Sequence, residues 1–211
     1  MKYTAVIFDL DGVICSTDQY HYLAWKEIAD NEGIYFDEEI NNSLRGVSRM
    51  GSLEIILERA SGTYTEEEKT AMAEKKNDSY RKLLEQMTHA DLPEDVAKTL
   101  KSLKAKGIKT AIGSSSKNTP VILNQIGLND AFDAVSDGNN ITKSKPDPEV
   151  FIKAAEMLRE DPANCLVVED ARAGVAAAKA GGFDCAGIGE ASEDADTVYP
   201  IQKISDLLKI I

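Results

Sequence analysis

The chain has 211 residues and a formal net charge of −12, and 43% of its residues are apolar. This length and apolar content suffice for a sizeable buried core, in one large domain or two smaller ones. A strongly negative chain repels nucleic-acid phosphates and anionic lipid headgroups, so we expect neither nucleic acid nor a membrane as a partner. No apolar run approaches the roughly 18 to 20 residues of a transmembrane helix, and the first residues do not predict a secretory signal.

Three cysteines, Cys15, Cys165 and Cys185, are widely spaced and odd in number. Because no two of them form a C-x-x-C pair, they predict neither a disulfide framework nor a structural zinc site. Reduced, buried cysteines are typical of the cytosol. We therefore expect a cytoplasmic protein.

The first predicted element is a buried strand over residues 4–8. It ends at two carboxylates, Asp9 and Asp11, which are followed by Gly12. Alternate residues of an extended chain point to the same side, so the two acids are expected to face one way. Taken alone, such a pair is more typical of a solvated loop than of a site. The other strand ends must decide between the two interpretations.

A purely helical segment follows this strand. Because strands resume only after it, the sequence predicts a helical cap domain of residues 16–87 inserted into a core domain formed by residues 1–15 and 88–211. Thr17 lies at the first crossing and is either a hinge residue or the N-cap of the first cap helix. The predicted cap helices cover 18–32, 37–44, 51–60 and 66–87, and the last opens with a Thr65–Glu68 capping box.

Strands and helices alternate through the rest of the chain, which favours a parallel sheet. We predict an α/β fold, a Rossmann-like parallel sheet with helices on both faces, carrying the all-helical cap after its first strand. Asn118 is expected to be the N-cap of one of these helices. The predicted strands cover 108–113, 132–135, 165–168 and 184–188, and the predicted helices cover 94–106, 119–126, 149–160 and 171–180.

Polar side chains follow these strands at the carboxyl edge of the sheet, where open parallel sheets bind ligands. They are Asp9–Asp11, Ser114–Asn118, Lys143 with Lys145, and Glu169–Asp170. Clustered carboxylates need a neutralising cation, and an all-oxygen ligand set suits Mg²⁺. Serines at a helix N-terminus, together with a lysine, suit a phosphate group. Each feature alone has an ordinary structural explanation, but their coincidence at four successive strand ends predicts a site.

Four stretches, Asp9–Gly12, Ser114, Lys145–Pro146 and Glu169–Asp170, resemble the signature motifs of the haloacid dehalogenase superfamily. The helical insert resembles the first-position cap of that superfamily. Motifs and cap together cover nearly the whole chain. The resemblance implies a HAD-like core and phosphoryl-transfer chemistry.

The resemblance also implies a role for each core residue. Asp9 would be the nucleophile that forms an aspartyl phosphate, and Asp11 the general acid and base. Mg²⁺ would be held by the carboxylates of Asp9, Glu169 and Asp170 and by the backbone carbonyl of Asp11. The transferring phosphoryl group would be held by Ser114 and Lys145.

Five shorter stretches carry a second resemblance, namely Tyr20–His21, Trp25–Lys26, Arg45–Arg49, Lys75–Asp78 and Ser116–Asn118. They resemble the β-phosphoglucomutases, a family of this superfamily. Such an enzyme moves phosphate between C1 and C6 of glucose through a bisphosphate that turns end for end, so it needs a second phosphate site. The resemblance assigns that site to Arg49, whose guanidinium suits phosphate, although a solvent-facing Arg49 is the alternative. The core partners implied are Ser116, Lys117 and Asn118.

The same resemblance implies substrate contacts from five further cap residues, namely His21, Trp25, Gly46, Lys76 and Asn77. His21 would help to hold Asp11 or the closed cap, or it is simply a half-buried helix histidine. Lys76 and Asn77 fall on an amphipathic helix, where an exposed charged face is the default.

The implied function is that of a Mg²⁺-dependent isomerase. It would interconvert β-glucose 1-phosphate and glucose 6-phosphate through the aspartyl phosphate and glucose 1,6-bisphosphate. Small sugar phosphates are the expected partners, and a monomer is the expected state. Arg172, just beyond Asp170, is expected to add positive charge near the metal and to alter substrate preference.

Two alternatives stay open at this point. A sugar-phosphate phosphatase would use the same core residues and differ only in admitting water to the aspartyl phosphate. The cap residues Arg45, Arg49 and Lys76 favour the mutase. A phospho-aspartate signalling module would be compact and would lack an insert that encloses the site.

Overall fold

The computed structural model describes residues 2–211 and confirms the α/β fold with a six-stranded parallel sheet. Its strands are β1 (Ala5–Phe8), β2 (Lys109–Gly113), β3 (Ala134–Ser136), β4 (Cys165–Glu169), β5 (Asp184–Gly187) and β6 (Tyr199–Pro200). The strand order is β3-β2-β1-β4-β5-β6. Connections therefore leave β1 and β4 in opposite directions, which opens a crevice at their carboxyl ends.

Eight α-helices accompany the sheet within the described residues. Four of them, α1 to α4, lie between β1 and β2 in the predicted insert, and α5 to α8 alternate with the later strands. They are α1 (Asp18–Asn31), α2 (Glu38–Asn42), α3 (Arg49–Leu57), α4 (Glu66–Leu84), α5 (Glu94–Ala105), α6 (Thr119–Gln125), α7 (Glu149–Leu158) and α8 (Arg172–Ala180).

Both faces of the sheet are buried, as the alternation along β1 makes clear. Val6 and Phe8 belong to one apolar cluster, which contains residues of α5 and α6. Ala5 and Ile7 belong to a second cluster, which contains residues of α7 and α8. All four side chains are fully buried. A strand covered on both sides must be apolar throughout, which is why β1 has no polar residue before Asp9.

The register of the sheet brings the predicted site residues together. Phe8 pairs with Ile112 of β2 on one side and with Val168 of β4 on the other. The residues that follow these three partners, including Asp9 and Glu169, therefore lie at one level along the carboxyl edge.

The insert has a core of its own, built around residues such as Trp25, Ile28, Leu53 and Ile56. The C-terminal end of α4 is not part of this core. Its Tyr80 and Leu84 are buried in the cluster shared with the sheet. The boundaries of the cap at residues 16 and 87 stay a prediction.

The Thr65–Glu68 capping box is present at the start of α4. The backbone N–H of Thr65 donates to Glu68 Oε2 at 2.8 Å, and the N–H of Glu68 donates to Thr65 Oγ1 at 3.2 Å. Helix α3 begins at Arg49, earlier than predicted, because Ser48 serves as its N-cap and accepts from the N–H of Gly51.

Strand β3 and helix α7 also differ from their predicted bounds for local reasons, and one strand was not predicted. Strand β3 begins late because Asp133 Oδ2, a side-chain atom, accepts the N–H of Thr110. Helix α7 ends at Leu158 because Arg159 adopts a left-handed backbone with φ of 58°. The two-residue strand β6, which contains Pro200, lies at the sheet edge and was not predicted.

All three cysteines are free and buried. Among residues 2–211, no helix combines the length and the apolar character needed to cross a membrane.

Candidate active site

A cavity of about 640 Å³ lies between the carboxyl edge of the sheet and the helical insert. Every residue predicted to bind metal, phosphate or sugar lines it, while the hinge candidate Thr17 lies outside its lining. The lining residues named in the sequence analysis include Asp9, Asp11, His21, Trp25, Arg45, Gly46, Arg49, Lys76, Asn77, Ser114, Ser115, Ser116, Lys117, Asn118, Lys145, Glu169 and Asp170.

Three carboxylates meet at the carboxyl end of β1 and β4. Asp9, Glu169 and Asp170 each offer an oxygen, and these oxygens lie within 4.8 Å of one another. Burial raises the pKa of Glu169 to about 7 and that of Asp170 to about 8, and the charge of Asp9 adds to both shifts. An all-oxygen donor set whose charges repel one another fits a hard divalent cation such as Mg²⁺.

Lys145 lies against this cluster and is only 7% exposed. Its Nζ donates to Asp9 Oδ1 at 2.6 Å and also to Glu169 Oε1. Burial lowers the pKa of Lys145, but the two carboxylates outweigh burial and hold the pKa above its usual value. The side chain is therefore an ammonium with its charge directed at the nucleophile candidate.

Two glycines make room for the carboxylates, namely Gly174, which the sequence analysis did not name, and Gly12 of the first motif. A Cβ at Gly174, in the first turn of α8, would lie 1.9 Å from the carboxyl carbon of Glu169. A Cβ at Gly12, where φ is +82°, would lie 2.1 Å from Asp170 Oδ2. The only sequence signal for the first was a glycine within a helix, where glycine is unfavourable.

Asp11 has a different environment from Asp9, although both line the cavity. The Thr17 N–H donates to Asp11 Oδ1 at 2.7 Å, and the Thr17 hydroxyl donates to Oδ2. The Asp11 carboxylate thus lies at the joint with the insert, outside the cluster of three acids. Burial raises the pKa of Asp11 to about 6, while the hydrogen bonds from Thr17 oppose that shift. This carboxyl can therefore gain or lose a proton near neutral pH.

The serine loop after β2 is held by its own hydroxyls. Ser116 N–H donates to Ser114 Oγ at 3.2 Å, and Asn118 N–H donates to Ser116 Oγ at 3.1 Å. Asn118 is at the predicted N-cap position of α6, but its side chain does not cap that helix. Its Nδ2 donates instead to Asn77 Oδ1 of α4 at 3.0 Å. This contact joins the core to the insert.

Lys76 is buried, so the default interpretation of an exposed charged face is wrong for this residue. Only 3% of it is exposed, and its Nζ lies 2.8 Å from His21 Nδ1. The ammonium is also 4.9 Å from the ring centroid of Trp25 and 4.4 Å from that of Tyr80. Burial lowers the pKa of Lys76 to about 7, and the charge of Arg49 adds to the shift.

His21 is half-buried between the insert and Asp11. Its Nε2 lies 3.7 Å from Asp11 Oδ2. Burial lowers its pKa well below the usual value, and the positive charges of Lys76 and Arg49 contribute. The imidazole is therefore neutral at physiological pH, and it connects Lys76 with Asp11.

Arg49 is partly buried, and no carboxylate of residues 2–211 lies within ion-pair distance of it. The same holds for Lys76 among these described residues. Two cap cations without counter-ions face the cavity, which is an arrangement suited to an anion.

Two further arginines, Arg45 and Arg172, differ in their position relative to the cavity. Arg45 of the insert pairs with Asp18, and its other terminal nitrogen lies 3.9 Å from Asp170. Arg172 does not add charge to the cavity as expected. It is exposed, and its Nε donates to Glu190 Oε1 at 2.8 Å.

The model of the haloacid dehalogenase-like hydrolase family matches residues 3–182. The chain therefore belongs to that family, as the four motifs predict. It is similar to β-phosphoglucomutase of Bacillus subtilis, with 42% identity over 205 residues that cover 96% of this chain and 91% of that protein.

Phosphatases are also among its relatives. The fructose-1-phosphate phosphatase of Escherichia coli is 30% identical over 183 residues, which cover 87% of this chain and 95% of that protein. Among solved structures, β-phosphoglucomutase from Clostridium difficile has a TM-score of 0.86 at 37% identity, with 98% of this chain and 96% of that chain covered. The family is thus established, and its relatives include both isomerases and hydrolases.

Proposed function

We propose that the protein is a Mg²⁺-dependent β-phosphoglucomutase acting on β-glucose 1-phosphate. The observation that carries this proposal is that the two ends of one cavity have different charged groups. One end has the three carboxylates with Lys145, and the other has Arg49 and Lys76 without acidic partners. A bisphosphate that must bind in two orientations needs a phosphate site at each end.

Asp9, Glu169, Asp170 and the backbone carbonyl of Asp11 would hold the Mg²⁺. When bound, the ion would neutralise the clustered carboxylates and the charge of the transferring phosphoryl group. Lys145 would direct a second positive charge to the same group, and the Ser114 hydroxyl would hydrogen-bond one of its oxygens.

The cycle starts from Asp9 carrying a phosphoryl group. Asp11 takes the proton from the C6 hydroxyl of β-glucose 1-phosphate while that oxygen attacks phosphorus, and the bond from phosphorus to Asp9 breaks. The resulting 1,6-bisphosphate turns end for end. An Asp9 oxygen then attacks the C1 phosphoryl group, Asp11 returns the proton to the leaving C1 oxygen, and glucose 6-phosphate departs.

The remaining residues would bind the rest of the substrate from both sides of the cavity. Arg49 and Lys76 would contact the phosphate that is not reacting. Ser116, Lys117, Asn118 and Asn77 would contribute donors to it from the two sides of the cavity, while His21, Trp25 and Gly46 would line the sugar. Thr17 would serve as the hinge. Cytoplasmic location and a monomeric state stay predictions.

A sugar-phosphate phosphatase is the second candidate, and the 30% identity to a fructose-1-phosphate phosphatase favours it. The core chemistry would be the same, with water attacking the aspartyl phosphate. The cap cations favour the mutase, because they would retain a phosphorylated acceptor and exclude water on closure. A signalling module is disfavoured, because an insert encloses the sheet edge.

The test supplies β-glucose 1-phosphate, Mg²⁺ and a trace of the 1,6-bisphosphate, and follows glucose 6-phosphate and free phosphate together. We expect sustained glucose 6-phosphate with little free phosphate. Stoichiometric free phosphate without glucose 6-phosphate would establish the phosphatase instead. The Asp9→Asn variant is expected to be inactive in both assays, and turnover by this variant would refute the nucleophile assignment.

A further inference from the structure

A chain of hydrogen bonds connects helix α4 with Asp11. The Tyr80 hydroxyl donates to Thr17 Oγ1 at 3.1 Å. Thr17 in turn donates both its hydroxyl and its N–H to the Asp11 carboxylate. Tyr80 is 1% exposed and Thr17 is 0% exposed, so water does not compete for the first of these bonds.

The direction of these hydrogen bonds follows from the number of hydrogens that each group can donate. The Thr17 hydroxyl has one hydrogen, and an ionised Asp11 can only accept it. A donor on the other side of Thr17 Oγ1 occupies a lone pair and keeps that hydrogen directed at Asp11. Burial, followed by the charge of Asp11, raises the pKa of Tyr80 well above its usual value, so the phenol remains a donor.

Tyr80 is also in contact with the cap end of the cavity. Its ring lies 4.4 Å from Lys76 Nζ and 4.2 Å, centroid to centroid, from the ring of His21. One side chain therefore touches a cap cation with its ring and the hinge candidate with its hydroxyl.

We propose that Tyr80 is a positioning residue for the phosphoryl transfer. Its hydroxyl fixes the Thr17 side chain, and Thr17 fixes the Asp11 carboxylate. The position of helix α4 therefore sets the position of the group that carries the proton. This inference rests on the proposed role of Asp11 but not on the choice between mutase and phosphatase.

The test compares two phosphoryl donors that differ in their need for a proton. A sugar oxygen leaving glucose 1,6-bisphosphate must be protonated, whereas acetate leaves acetyl phosphate as a stable anion. Single-turnover formation of the aspartyl phosphate is measured by rapid acid quench and intact mass. In Tyr80→Phe we expect the rate from the bisphosphate to fall about tenfold, and the rate from acetyl phosphate to change less than about twofold.

A matched control removes another tyrosine hydroxyl of the insert. The Tyr64 hydroxyl donates to Glu32 at 3.0 Å on the surface, so Tyr64→Phe should match the wild type with both donors. Equal losses with both donors in Tyr80→Phe would overturn the proposal and indicate a structural role. If the wild-type protein accepts a phosphoryl group from neither donor, the proposed function itself fails.

A double-mutant cycle tests the route through Thr17. Thr17→Val keeps the shape of the side chain and removes its hydroxyl. We expect Tyr80→Phe to cause no further loss in the Thr17→Val background, because the two residues act in series. Additive losses would show that Tyr80 acts by another path and would overturn the proposal.

Discussion

The position of the Glu169 carboxylate depends on a neighbouring glycine, Gly174. Glu169 is only 1% exposed. Its carboxyl group occupies the space in which a Cβ of residue 174 would lie. The acid can face Asp9 and Asp170 only because α8 has a glycine at that point. The geometry of the candidate metal site is thus set partly by a residue that has no functional group.

Gly174→Ala should displace the Glu169 carboxylate and weaken Mg²⁺ binding. We expect the dissociation constant, measured by isothermal titration calorimetry, to rise at least tenfold, because misplacing one ligand typically costs that much affinity. Gly62→Ala is the control, since a Cβ there meets no atom within 4 Å. Unchanged Mg²⁺ affinity in a folded Gly174→Ala protein would remove Glu169 from the ligand set.

At the scale of elements, α4 places a lysine where a helix of a soluble protein usually has an apolar residue. The side chain of Lys76 is enclosed by Trp25, Tyr80 and His21, and its pKa falls from 10.5 to about 7. Between those values the unfolded chain binds a proton that the folded chain does not. The contribution of this group to the free energy of unfolding therefore rises with pH through that window and is lowest below it.

Lys76→Met should stabilise the protein at neutral pH and impair binding of the sugar phosphate. We expect the free energy of unfolding at about pH 7, from urea denaturation, to rise by a few kcal/mol, and this gain to shrink at about pH 9.5. Lys75→Met is the control, because the neighbouring Lys75 side chain is 54% exposed. A gain of equal size at both pH values would contradict the assigned cause.

Strand β1 was predictable because burial on both faces makes it apolar throughout. The position of the candidate metal ligands and of the serine loop was predictable because parallel strands deliver their carboxyl ends to one edge. The bounds of β3 and α7 were not, since they depend on the Asp133 side chain and on the backbone of Arg159.

Other features of the site could not be read from the sequence, since they arise only when separate elements pack against one another. The burial of Lys76, the role proposed for Tyr80 and the space beside Gly174 are of this kind. The pairing of Arg172 with Glu190 likewise joins the start of α8 to a segment that follows β5. The rule that parallel sheets bind ligands at the carboxyl ends of their strands locates residues along one sheet edge. It does not describe contacts between helices.

At the scale of the whole molecule, Arg45 links the insert to the candidate metal site. Its guanidinium pairs with Asp18 of the insert and lies 3.9 Å from Asp170 of the core. The positive charge opposes the binding of a cation at Asp170. Because the contact is partly exposed, solvent screening keeps its effect modest.

Arg45→Ala should strengthen Mg²⁺ binding by about two- to fivefold, measured by calorimetry at low ionic strength. The effect should decrease as salt is added. Arg172→Ala removes a nearby arginine whose charge is already paired with Glu190 outside the cavity, so it should leave the affinity unchanged. Weaker Mg²⁺ binding in Arg45→Ala would mean that the arginine supports the metal site rather than opposing it.

Helix α4 belongs to two hydrophobic cores at once. Ala73 is buried in the core of the insert, whereas Tyr80 and Leu84 are buried in the core of the sheet. A rigid insert turning freely about two connecting segments would have to pull these last turns out of the larger core. Any opening of the insert would therefore require bending within α4 and at the α1 connection, with Tyr80 and Leu84 left buried. Unfolding of the insert alone would expose apolar surface of the sheet, so the two parts should lose amide-exchange protection together.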